Sequence, residues 1–145
     1  MPSLSKFYHP LIAGSDSGVT YFERMNCATS LWEPAGHVEW SSNHSANVYF
    51  GLERVPLREL RRLKKTTSKS RRFKANGTDY RWKLADNGFD LICVSTQISA
   101  FGRNVAEWSN ERSTLRVVER FEPILDRLVV TCILNLWMKR TAAGW

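Results

Sequence analysis

The sequence is poor in the residues that usually carry chemistry. It contains three histidines and three cysteines in 145 residues. His9, His37 and His44 have no metal-ligand spacing with one another or with Cys27, Cys93 and Cys132, so no metal site is expected. An odd number of widely separated cysteines also gives no disulfide framework. There is no glycine-rich phosphate loop and no nucleophile elbow, and the carboxylates are scattered. The expectation is a protein that is not an enzyme, with no catalytic residue and no cofactor. Met1 to Gly14 lacks a basic stretch followed by an apolar run, so no export signal is expected. The sequons at Asn43 and Asn76 then carry no weight. An intracellular setting follows, cytoplasmic or nuclear and peripheral to membranes at most.

What is abundant is apolar and aromatic residue. Hydrophobic residues make up 43% of the chain, with six Trp, seven Phe and four Tyr, a composition that buries a core rather than staying disordered. This length is most naturally one domain, 1–145. The net charge of +7 is concentrated in one place. Between Arg54 and Lys74 stand ten basic residues against one acid, Glu59, a local +9 that leaves −2 for the remainder. A basic segment on a nearly neutral body favours polyanions, although a solvated face also produces such a run.

Short β-like runs fill the first half. Phe7 to Ile12, Val19 to Met25, Ser30 to Glu33, His37 to Ser41 and Asn47 to Leu52 read as strands, with Pro34-Ala35-Gly36 and Ser42 to Ser45 as breaks. Leu57, Leu60 and Leu63 then lie three apart, one side of a short basic helix that opens at Pro56. Thr66 to Ser70 reads as a polar linker whose hydroxyls are candidates for phosphorylation. Asn76-Gly77 marks a hairpin between Arg71–Lys74 and Thr78–Leu84. Further strands follow at Phe89–Val94, Asn104–Ser109 and Thr114–Val118. The total is about ten strands between residues 7 and 118, a meander or barrel.

The last apolar stretch, about 122–140, reads as a helix that must be enclosed. Pro123 suits its first position, and Glu122 and Asp126 suit the positive end of its dipole. Fifteen apolar-rich residues span roughly 22 Å, short of the ~30 Å of a bilayer core, so no transmembrane span is expected. Arg127, Thr131 and Asn135 form one polar stripe at i, i+4 and i+8, and that stripe requires partners in a protein interior. Leu125 and Val129 belong to the apolar remainder. Asp126 sits as a charge near the helix start.

The string Ser70 to Lys83, the later Asn104-Val-Ala-Glu-Trp108, and Ile124 to Thr131 followed by Lys139-Arg140 resemble the domain of unknown function 6593 family, a fungal, basidiomycete-type family. That family is similar to the tubby C-terminal-like group, which includes phospholipid scramblases and the LURP-one-related proteins. The resemblance runs from about Ser17 to Arg140. It implies a mainly β fold, a single closed antiparallel barrel around a buried hydrophobic C-terminal helix, and it supplies no activity.

The functional expectation is a binding module that meets anionic phospholipid headgroups through Arg58, Arg61, Arg62, Lys64, Lys65, Lys69, Arg71, Arg72 and Lys74. Two alternatives stay open. Nucleic acid could be the partner, because cations alternate with Phe73, Tyr80 and Trp82 and because Arg61–Lys65 and Lys69–Arg72 resemble a two-part nuclear-import signal. An enzyme with a barrel-end site near Asp126, His37 or His44 is the other. Oligomeric state is not legible.

Overall fold

The computed structural model describes residues 3–4, 8–12, 18–26, 28–42, 45–96 and 104–140. The chain divides into two compact units, Ser5–Arg58 and a second made of Met1–Leu4 with Glu59–Trp145. Each holds one antiparallel sheet.

The first unit contains β2 (Tyr8–Ile12), β3 (Val19–Asn26), β4 (Leu31–Trp40), β5 (Ala46–Phe50) and β6 (Glu53–Pro56), after the two-residue β1 (Ser3–Leu4) of the second unit. They pair as a meander in the order β2-β3-β4-β5-β6. Pro34-Ala35-Gly36 was expected to break the chain, yet β4 runs through it unbroken. Proline is tolerated because β5 pairs with β4 only over His37–Trp40, so a missing N–H at Pro34 leaves no gap in that ladder. A register shift between Phe22 and Glu23 lies opposite the same stretch. Gly36 is required by close approach, since a Cβ there would lie 2.6 Å from the Tyr49 carbonyl oxygen. On the alternating side, Val38 and Val48 are fully buried and stand opposite each other.

The second unit carries β7 (Ser70–Ala75), β8 (Thr78–Leu84), β9 (Leu91–Ser95), β10 (Asn104–Ser109) and β11 (Thr114–Val118). The sheet order is β1-β11-β10-β9-β8-β7. The Asn76-Gly77 turn forms as expected, with φ of 48° and 77° at its two residues, the left-handed pair that a tight hairpin demands. A 3-10 turn, Glu119–Ile124, leads into α2 (Leu125–Arg140). The helix therefore begins later than residue 122, and Pro123 falls within the tighter turn. Val129, Val130, Thr131 and Ile133 are mediocre helix formers, so burial rather than propensity holds α2 together. Leu125, Leu128, Val129, Val130, Cys132, Leu134 and Met138 are buried, while Trp137 is exposed.

The fold is mainly β with an apolar C-terminal helix, but the single closed barrel does not form. Among the described residues the strands make two open sheets, edged by β2 and β6 in one and by β1 and β7 in the other. The meander stops between β6 and β7, which do not pair and are connected by the basic segment. Its expected helix is a single turn, α1 (Leu57–Leu60). Leu57 and Leu60 are buried, but Leu63 is 40% exposed because the chain has already left the helix. Instead, Arg62 forms an isolated antiparallel bridge with Arg72 on β7. Two backbone hydrogen bonds hold it, Arg62 N–H to the Arg72 carbonyl at 2.9 Å and the reverse at 2.8 Å.

Candidate functional site

The alternation of hairpin β7–β8 sorts its cations onto two faces. Phe73, Tyr80 and Trp82 are buried, so the residues that share their face point toward α2. Trp82 marks the contact: its Nε1–H donates to the Thr131 hydroxyl at 2.8 Å. Thr131 in turn donates to the Arg127 carbonyl one turn earlier, at 2.6 Å. Arg71 is the cross-strand neighbour of Trp82, and so lies on this inner face.

Next along the stripe, Asn135 accepts through Oδ1 from Arg61 Nε at 2.6 Å. Thr131 and Asn135 are both 0% exposed, and these two members of the stripe bond to Trp82 and Arg61 within this unit. Arg61 is held down to about 10, first by burial and then by the neighbouring Arg71 guanidinium. Burial also lowers Arg71. Arg61 Nη2 and Asn135 Nδ2 are among the buried donors that have no hydrogen-bond acceptor among the described residues.

The outer face of the same hairpin is cationic. Arg72 stands opposite Arg81, Ser70 opposite Lys83, and Lys74 opposite Asp79. The Asp79 carboxylate is taken by Arg62 Nη2 at 2.7 Å. Like charges directly opposite one another in a ladder are unfavourable by roughly 0.2–1 kcal/mol, so Arg72 and Arg81 are held together at a cost.

Of the nine basic residues expected to form the site, Arg58, Arg62, Lys64, Lys65, Lys69 and Lys74 are exposed and Arg61, Arg71 and Arg72 are half-buried. Arg58 belongs to the first unit and the other eight to the second. Within the second unit, the hairpin and the strand bridge bring Arg62, Arg72 and Lys74 together, and turn Arg61 and Arg71 inward. Arg81 and Lys83, which the sequence places in the string of alternating cations and aromatics but outside the nine expected site residues, belong with the outer group. Their alternation with Tyr80 and Trp82 is the signal that places them there.

The matching family model is a family of unknown function (DUF6593), over residues 13–141. The chain belongs to this family. No curated protein and no solved structure matches the DUF6593 chain.

The remaining candidates show no convergence on chemistry. His37 stacks on Tyr49, with ring centroids 4.5 Å apart, and its Nε2 lies 3.6 Å from Glu39. His44, Cys27 and the loop 97–103 lie outside the described residues, and the side chain of His9 is not described. Cys93 and Cys132 are buried, and burial raises both thiols well above their usual range, away from thiolate reactivity. Asp126 is half-buried at the start of α2. Among the described residues, no group of three or more His, Cys, Asp or Glu could hold a metal ion, and no helix is long and apolar enough to cross a membrane.

Proposed function

We propose that this DUF6593 protein is a non-enzymatic binding module that attaches to anionic membrane surfaces through its basic segment. The observation that carries the reading is the outer face of hairpin β7–β8, where Arg72 and Arg81 stand opposite each other beside Lys74 and Lys83. The one acid in that ladder, Asp79, is already committed to Arg62. Among the described residues, Lys64, Lys65, Arg72 and Lys74 take part in no ion pair, so their charge is available to a partner. Each basic residue close to an anionic leaflet contributes on the order of 1 kcal/mol.

A lipid surface is favoured over nucleic acid by the fate of the aromatics. Phe73, Tyr80 and Trp82 are buried, so this string offers cations without exposed rings on which bases could stack. Co-sedimentation with phosphatidylcholine vesicles, with and without phosphatidylserine, at physiological salt tests the reading. Binding to the anionic vesicles alone is expected. Equal partitioning to both, or none, contradicts it.

A further inference from the structure

The longest hairpin of the first unit, β3–β4, outruns its neighbours. Among the described residues β2 pairs with β3 only as far as Arg24, and β5 pairs with β4 only from His37 onward. Before His37, β4 runs back through six more residues to Leu31, whereas the β5–β6 turn closes after the single further pair Phe50 and Glu53. Alternate turns of a meander lie at the same end of the sheet. At about 3.3 Å per residue, the β3–β4 tip therefore projects roughly 10 Å past the β5–β6 turn.

The projecting part is uncharged and apolar. Met25 to Trp32 contains no charged residue, and Arg24 and Glu33 at its base pair with each other at 4.0 Å. Leu31 is 64% exposed and Trp32 39%. Consecutive strand residues point to opposite faces, so the tip is apolar on both sides. Its turn is fixed in advance: Ser30 takes a φ of 58°, and the Thr29 hydroxyl accepts from the Leu31 N–H at 3.3 Å.

The chemistry of this tip selects its surroundings. A stable protein interface needs about 800 Å² on each partner, and a tryptophan brings at most about 250 Å². A bilayer surface encloses a tip from both sides, demands no matching shape, and favours tryptophan at its boundary. An uncharged tip enters it without stripping water from an ion. Backbone groups on the open edges of the hairpin keep the entry shallow, within reach of headgroups and water.

We propose that the β3–β4 tip inserts Leu31 and Trp32 into the headgroup–acyl boundary of the bilayer. The inference rests on the membrane reading and adds to it an apolar contact that salt does not screen. Insertion of this kind reaches about 5–10 Å, so the tip enters while Leu52, fully exposed on the β5–β6 turn, stays outside. Leu52 is therefore the control that separates insertion from general stickiness.

The test uses the full chain with Ala28→Cys and Cys27→Ser, labelled at residue 28 with an environment-sensitive fluorophore. Cys93 and Cys132 are buried and escape the label. On phosphatidylserine-containing vesicles the emission should shift to the blue, and a quencher near the top of the acyl chains should act more strongly than one near their ends. Leu31→Gln with Trp32→Gln should lower the partition coefficient about tenfold, and Leu52→Gln should leave it within about twofold. Should the double variant fail to fold, Leu31→Gln alone carries the comparison, with a loss of at least about threefold.

Vesicle binding with an unshifted label, or with the double variant undiminished, overturns the insertion and leaves the membrane reading standing. A loss from Leu52→Gln as large as that from the double variant also overturns it. So does a blue shift that grows with protein concentration in the absence of lipid, which makes a second copy the occupant. If the parent binds neither vesicle, the labelled chain is held on phosphatidylcholine vesicles by a terminal histidine tag and nickel-chelating lipid. A blue shift there keeps the insertion and removes the electrostatic reading, and no shift removes both.

Discussion

Arg61 reaches across 74 residues of sequence to place its Nε–H on the Oδ1 of Asn135, at 2.6 Å. That bond ties the basic segment to the apolar helix, the two features most conspicuous in the sequence. It also explains why the segment is not a uniform solvated face. Part of its charge is drawn inward, and part is displayed on the outer face of a hairpin.

The polar stripe on α2 should be energetically coupled to the sheet. Thr131→Val keeps the shape of the side chain but removes the acceptor of the Trp82 indole, leaving a buried N–H unsatisfied. A loss of about 1–3 kcal/mol is expected in denaturant unfolding. Adding Trp82→Phe in that background should cost less than it does alone, with a coupling of about 1 kcal/mol. Strict additivity would show that the bond contributes nothing.

This stripe shows how far the sequence could be read. Thr131 and Asn135 announce their interior partners, Trp82 and Arg61, through spacing on a helix with few other polar residues. The hairpins at Asn76-Gly77 and the strands Thr78–Leu84, Asn104–Ser109 and Thr114–Val118 follow from turn chemistry and alternation. The open sheets do not. Closure depends on whether β6 pairs with β7, and the Arg62–Arg72 bridge that intervenes is a backbone contact with no side-chain signature. Leu63 misled for the same reason, because its helical spacing was overruled by that bridge. At the site, the charge run was plain, but which cations turn inward depended on the phase of β7.

Gly36 should resist replacement. Gly36→Ala drives a Cβ to within 2.6 Å of the Tyr49 carbonyl, and neither backbone can retreat without disturbing the β4–β5 ladder. A loss of about 1–3 kcal/mol is expected in thermal or denaturant unfolding. A stability equal to that of the parent would show that the two strands are not so closely apposed.

The hydroxyls beside the cations offer a means of release. Thr66 and Thr67 are exposed within the basic segment. Thr66→Asp with Thr67→Asp should weaken partitioning to phosphatidylserine vesicles by roughly 1 kcal/mol for each charge introduced. Unchanged partitioning of a folded variant would exclude this form of control.

The pH dependence of folding stability has a defined sign at one residue. Arg61, held down to about 10 chiefly by burial, remains protonated at pH 7 and loses its proton as pH rises through that value. The unfolded chain, with its higher Arg pKa, binds more protons above about 10, so the cost of burying this charge recedes as pH rises past that value. Denaturant unfolding of the parent and of Arg61→Met between about pH 8 and about 11 checks this. The stability difference between the two should shift in favour of the parent above about 10, and a difference that does not change with pH would contradict it.

The central claim is that the cations of the β7–β8 outer face attach the protein to anionic membranes. The most direct test is the partition coefficient of Arg72→Gln, Lys74→Gln, Arg81→Gln, Lys83→Gln against that of the parent, on phosphatidylserine-containing vesicles at physiological salt. With about 1 kcal/mol at stake per residue, a fall of at least about a hundredfold is expected, with the fold and melting temperature retained. Undiminished partitioning of the folded quadruple variant would contradict the account.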